Sequence, residues 1–173
     1  TYNFASLWSD DFTVSIGLLS DSEPVVGVVY APARRQLYVA ELGGRAQLDG
    51  KPIRVSDVVN LSRAVVALDY GKGGRRVRLL PYLRRLLSPN GITYPVTYAC
   101  ASLALARVAA GQVDSYLSHN LEPWDMAAAV TIVRSAGGTV TNLVGQAWNV
   151  GDPSILAAPP KLHQQLLRFL RRR

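Results

Sequence analysis

Residues 123–138 read Pro-Trp-Asp-Met-Ala-Ala-Ala-Val-Thr-Ile-Val-Arg-Ser-Ala-Gly-Gly, a stretch that carries both ends of a helix. Pro123 suits a first helical position, Asp125 falls in the first turn where the dipole favours negative charge, and Gly137 can take the left-handed conformation that stops a helix. The pattern predicts a helix over 124–136. A carboxylate so placed has two readings. It helps the helix start, a contribution of ~0.3–1 kcal/mol, or it offers oxygen to a cation. One carboxylate does not make a metal site, so the local sequence favours the first reading.

Around that helix the periodicity alternates between two and 3.6. Residues 12–19 and 25–30 alternate as strands about the turn Asp21-Ser22-Glu23-Pro24, and 36–41 follows before Gly43-Gly44 turns the chain back. This predicts an antiparallel meander. Residues 64–69 form a short apolar strand, 71–74 a flexible turn, and 75–87 a helix with Val77, Leu80, Leu83 and Leu87 near one face and arginines opposite. Further on come a strand over 92–98, a helix over 102–110, strands over 113–117, 139–143 and 154–158, and a closing helix over 160–172. Such alternation implies an α/β or α+β fold. With 173 residues, 49% of them hydrophobic, and no linker or repeat, the chain reads as a single globular unit over 1–173 able to bury ~70% of its unfolded surface.

Composition narrows the function classes. No apolar run approaches the ~18 residues of a membrane span, and one cysteine, Cys100, allows no internal disulfide. A reducing cytoplasm fits best. The net charge is +7, and the arginines at 75–85 together with Lys161 and the arginines at 168–173 supply over half of the positive residues. Aromatic residues are not interleaved with those runs and no zinc or helix-turn-helix motif accompanies them, so amphipathic helices with solvated basic faces explain the charge and no nucleic acid is expected as partner.

Single residues with chemical potential mostly have plain explanations. Gly71-Lys72-Gly73-Gly74 lacks the spacing of a phosphate-binding loop. His119 lies in a loop ahead of the Trp-Asp pair and could meet a substrate hydroxyl, although a lone loop histidine is usually solvated. His163 has no evident partner, and Cys100 has no histidine near it in sequence to act as base. Trp124 reads as a buried anchor for the start of its helix rather than a stacking platform.

Three separated segments carry a family resemblance. They are Val14-Ser15-Ile16-Gly17-Leu18 leading into Gly27-Val28-Val29-Tyr30-Ala31-Pro32; Gly43 to Ser56 with its Asp-Gly-Lys-Pro-Ile-Arg-Val-Ser ending; and Leu105 to Gly138, holding Val108-Ala109-Ala110-Gly111-x-x-Asp114 and Trp124-Asp125. In order and spacing they resemble the inositol monophosphatase family, the Mg²⁺-dependent, lithium-sensitive sugar and inositol phosphatases that include archaeal fructose-1,6-bisphosphatases. The resemblance implies the C-terminal portion of a layered α/β/α/β/α fold. It also implies a homodimer, a small phosphorylated substrate, and phosphomonoester hydrolysis with Mg²⁺ as cofactor and Asp125 as a metal ligand.

The chain opens with Thr1-Tyr2-Asn3-Phe4, which resembles the tail of the family's Asp-Pro-x-Asp-Gly-Thr-(Thr)-Asn-Phe motif. The resemblance makes Thr1 the catalytic threonine and leaves the motif's two metal-binding aspartates, and everything upstream, to an N-terminal part absent from this sequence. With Asp125 alone, the isolated chain is expected to be inactive. Where the family places Gly-(Ser/Thr)-Ala-Ala against the sugar ring, this chain has Ala99-Cys100-Ala101-Ser102, so Cys100 and Ala101 are implied substrate contacts. The position of the ring-binding glutamate, seven residues before Asp125, holds Ser118. These departures leave inositol phosphate and fructose-1,6-bisphosphate open as substrates, the second phosphate of the latter met by Arg75 or Arg76; adenosine 3′,5′-bisphosphate is a weaker candidate. The rival from another class is a noncatalytic fragment serving as a binding or dimerisation module.

Overall fold

The computed structural model describes residues 2–6, 9–70, 77–119 and 121–171. After a short helix α1 (Tyr2–Ala5), the expected meander is present as β1 (Val14–Ser20), β2 (Glu23–Ala31) and β3 (Gln36–Glu41). Asp21 and Ser22 both take positive φ at the β1–β2 turn, which matches a two-residue turn to the twist of the strands. Two further short strands, β4 (Gln47–Leu48) and β5 (Lys51–Pro52), extend this sheet in the order β1-β2-β3-β4-β5.

A second sheet has the order β7-β6-β8-β10-β9, formed by β6 (Val65–Asp69), β7 (Tyr94–Val96), β8 (Ser115–His119), β9 (Thr139–Thr141) and β10 (Ser154–Ala158). Strands β7, β6 and β8 run parallel, and β10 runs antiparallel to both β8 and β9. The helices are α2 (Leu80–Leu86), α3 (Ala101–Ala109), α4 (Pro123–Ser135) and α5 (Pro160–Arg171). Helix α4 packs on β1, β2 and β3, and α3 packs on α4 and on β6, β8 and β10; α5 lies against β10 and α2. The layers are therefore sheet, helices, sheet, helices, an α/β arrangement.

Strand alternation assigns side chains to two cores. Ala67, Tyr116, Ile155 and Ala157 point into the larger core with α3, α4 and the first sheet, while Val66, Leu68, Leu117, Leu156 and Ala158 point into the smaller one beneath α5. The run Ala127-Ala128-Ala129 lets α4 approach the first sheet closely, opposite Gly17 and Gly27, which are register partners.

Several expectations shift. The helix expected over 75–87 begins only at Leu80, with Pro81 in its first turn, where the missing N–H costs nothing. Its apolar face also differs: Val77, Leu80 and Leu87 are exposed, whereas Leu79 and Leu86 are buried. The strand expected at 92–98 shrinks to three residues. The strand expected at 139–143 stops after Thr141, because the Asn142 side chain accepts the N–H groups of Val144 and Gln146 and turns the chain. The Gly71–Gly74 turn, Arg75 and Arg76 lie outside the described residues.

Candidate functional site at the ends of the parallel strands

In open α/β sheets, ligands bind beyond the carboxyl ends of the parallel strands. Here those ends are Asp69 on β6, Val96 on β7 and His119 on β8, and α3 and α4 each begin just after one of them. The N-terminal segment reaches the same region: Asn3 Nδ2 donates to the carbonyls of Asp11 (2.6 Å) and Tyr98 (2.9 Å).

Asp125 sits at the third position of α4, as the sequence predicted for its first turn. The Glu122 N–H donates to Asp125 Oδ2 at 3.1 Å, and the Glu122 side chain accepts from the backbone of residue 125 in return. This reciprocal box fixes the carboxylate, and among the described residues Oδ1 has no hydrogen-bond partner. At the far end of α4, Gly137 has φ +83° and Gly138 N–H returns to the Val133 carbonyl, completing the predicted stop.

Trp124 is not the buried anchor expected. It is 72% exposed, because the inward face of α4 is taken by Met126, Ala129, Val130 and Val133, and Pro123 together with the Glu122–Asp125 box already fixes the helix start.

Residues 97–101, which hold the Cys100 and Ala101 expected to meet a substrate, lead into α3. Ala99 has φ +51°, a left-handed conformation that costs a side-chain-bearing residue ~1–2 kcal/mol. Cys100 precedes α3 without capping it, and its Sγ lies 3.6 Å from Thr13 Oγ1 and 3.8 Å from Ser102 Oγ. Thr13 and Ser102 hydroxyls are themselves 2.6 Å apart. Cys100 is half-buried among hydroxyls, and among the described residues no base bonds it to make it a nucleophile. Ala101 opens α3 and is half-buried beside it.

Ser118 corrects a second expectation. It is completely buried, and its hydroxyl donates to the Asp69 carbonyl at 3.3 Å, so it supports the strand end and does not face a ligand. Its register partner on β6 is Asp69, which is only partly buried and went unnoticed in the sequence. Asp69 Oδ1 accepts from Thr97 Oγ1 (3.1 Å) and Ala99 N–H (2.9 Å), and Oδ2 accepts from Tyr116 Oη (2.7 Å). Desolvation raises its pKa above the ordinary carboxylate value; the three donors oppose that, and the nearby Asp125 charge adds to it. Burial likewise pushes the Tyr116 phenol well above its usual value. The only hint in sequence was an acid closing an otherwise apolar strand.

Asp114, in the Val-Ala-Ala-Gly-x-x-Asp motif, is structural: it accepts from Ser56 Oγ (2.6 Å) and Val65 N–H (2.8 Å), tying a loop to the start of β6. His119 lies half-buried at the end of β8, its Nδ1 buried with no hydrogen-bond partner among the described residues. Thr1 lies outside the described residues.

A hard divalent cation takes six or more oxygens. Among the described residues no three His, Cys, Asp or Glu side chains converge to hold one. Asp125 fits as a single ligand, and a complete set needs oxygens beyond those described.

The model of the inositol monophosphatase family matches residues 1–173. Inositol-1-monophosphatase ImpA of Mycolicibacterium smegmatis is 34% identical over 179 residues, covering 99% of this chain and 63% of that protein. A fructose-1,6-bisphosphatase/inositol-1-monophosphatase of Aquifex aeolicus is 32% identical over 164 residues, covering 93% and 60%. The crystal structure of extragenic suppressor protein suhB from Bartonella henselae superposes with a TM-score of 0.92 at 33% identity, covering 99% of this chain and 66% of that one. The chain thus spans a little under two thirds of the length of these relatives. With the layered fold, the capped Trp-Asp helix and a family match along its whole length, this chain belongs to the inositol monophosphatase family.

Proposed function

We propose that this chain is the C-terminal part of a metal-dependent phosphomonoesterase acting on an inositol phosphate or a related sugar phosphate, with Mg²⁺ as the metal. The observation that carries the reading is Asp125, a carboxylate locked by a capping box at the mouth of the parallel strands with one oxygen uncommitted. Mg²⁺, when bound, supplies a Lewis acid for the phosphate and a water acidic enough to attack it. The protein's share is to place the partners. Asp125 holds its oxygen at a fixed point, Cys100 and Ala101 line the side where the sugar ring rests, and Ser118 steadies the strand end behind them. Thr1, by the resemblance, hydrogen-bonds the attacking water.

The chain alone is inactive in this reading, since one carboxylate cannot retain Mg²⁺. By the resemblance, an N-terminal part carrying the remaining carboxylates is the partner that completes the site. Support comes from the outer face of the first sheet, where Val14, Ile16 and Leu18 are 56%, 64% and 59% exposed, an apolar row that an additional layer would cover. Homodimerisation and a cytoplasmic location, with Cys100 unpaired, belong to the same reading. Fructose-1,6-bisphosphate is the second substrate, favoured by the dual name of the Aquifex aeolicus relative and by the absence of a carboxylate at Ser118.

The test is phosphate release from inositol monophosphate and fructose-1,6-bisphosphate by the chain joined to its N-terminal part. Mg²⁺-dependent turnover is expected there and none from the chain alone. Asp125→Asn keeps a capping acceptor but removes the charge, so turnover should fall more than about a hundredfold with stability changed by less than ~1 kcal/mol. Turnover that survives Asp125→Asn would overturn the assignment.

A further inference from the structure

Asp69 joins three segments that are distant in sequence. Its carboxylate takes Thr97 Oγ1 and Ala99 N–H from the loop before α3, and Tyr116 Oη from β8. Its own carbonyl takes the Ser118 hydroxyl. One side chain therefore links the end of β6, the end of β8 and the loop that carries Cys100 and Ala101.

The loop needs such a link. Ala99 is held at φ +51°, a region that alanine avoids and glycine enters freely. Cys100 gives α3 no side-chain cap, so nothing local favours this turn. An N–H donated to an ionised carboxylate is among the stronger hydrogen bonds available to a loop, and here it falls on the strained residue itself. The Tyr116 phenol, completely buried in the core beneath, holds the other carboxylate oxygen and prevents the Asp69 side chain from swinging away.

We infer that Asp69 is a positioning residue that holds residues 97–101 in their left-handed turn and so sets where Cys100 and Ala101 face the ligand space beside Asp125. The turn itself stands on the hydrogen bonds; the orientation toward a substrate rests on the phosphatase reading. The charge on Asp69 and the φ of Ala99 are coupled, since the carboxylate compensates for a side chain in a glycine-like conformation. Glycine at 99 would remove the need for compensation.

Amide hydrogen exchange and thermal melting of D69A, A99G and the double variant test this without metal or substrate. D69A should speed exchange of the Ala99 amide at least tenfold and lower Tm. A99G alone should raise Tm, and in the A99G background D69A should cost less than half the Tm it costs in the parent. Should D69A fail to fold, D69N, which keeps an acceptor for Ala99 N–H but loses the charge and the match to Tyr116, should show the same background dependence at smaller amplitude. Unchanged exchange at Ala99, or equal Tm losses in both backgrounds, would overturn the proposal. With the N-terminal part joined, D69A should raise KM at least tenfold with less effect on kcat, and A99G should restore it. Intact coupling with KM unmoved would overturn the substrate-facing role alone. Absence of phosphatase activity in the parent would sink the phosphatase reading and leave the exchange test standing.

Discussion

His163, which has no evident partner in the sequence, lies on the buried face of α5 with its Nε2 3.0 Å from Thr141 Oγ1. Burial lowers its pKa to about 4, so the folded protein keeps the ring neutral where the unfolded chain would protonate it. Stability from this site is full above pH 6.5 and is lost as pH falls toward 4, with a loss on the order of 2 kcal/mol once solvent relaxation is allowed for. Urea melts at pH 7, 5.5 and 4.5 should show the decline, and His163→Gln should flatten it. Partners of this kind explain which residues could be read from sequence. Asp125 was legible because its surroundings, Pro123 and the helix dipole, are local. Asp69 was not, since its donors lie 28, 30 and 47 residues away and no spacing rule joins them.

Among elements, the contact between α4 and the first sheet is the most exacting. A Cβ at Gly27 would lie 1.9 Å from the Ala128 carbonyl oxygen, so Gly27→Ala must push helix and sheet apart. The expected loss is about 3 kcal/mol or more, read as a drop in urea midpoint; Gly43→Ala should cost far less, because its Cβ would meet nothing within 4 Å and only its φ of +79° is unfavourable. Many elements were legible from local punctuation and periodicity: β3, β6, β10, α3, α4 and α5 fall within a residue of expectation. Helix α2 was misjudged because periodicity cannot tell which of two staggered stripes a neighbouring helix will cover. The β4–β5 hairpin carries a strong turn signal in Asp49-Gly50, at φ +51° and +75°, but its two-residue strands have no periodicity to read.

At the scale of the molecule, the outer face of the first sheet is a continuous apolar surface. Register places Val14 beside Tyr30, Ile16 beside Val28 and Leu18 beside Val26, and Leu37 and Val39 extend the face across β3. Patches of this kind promote association, and β1 is the edge strand of its sheet, the position at which further strands add. The chain should therefore self-associate with rising concentration, and Ile16→Lys should shift its sedimentation profile toward monomer without lowering Tm by more than a few degrees. The fold class was legible from alternation alone, but the layer order was not, because only packing decides which sheet face each helix covers. The strands β6, β8 and β10 are buried on both faces, each feeding two cores. Opening any of them exposes both cores together, so their amides can exchange only through global unfolding, the slowest route a protein offers. The strand ends that carry Asp69 and His119 thus sit on a rigid chassis, and the loop at 97–101 is anchored to it through the Asp69 carboxylate.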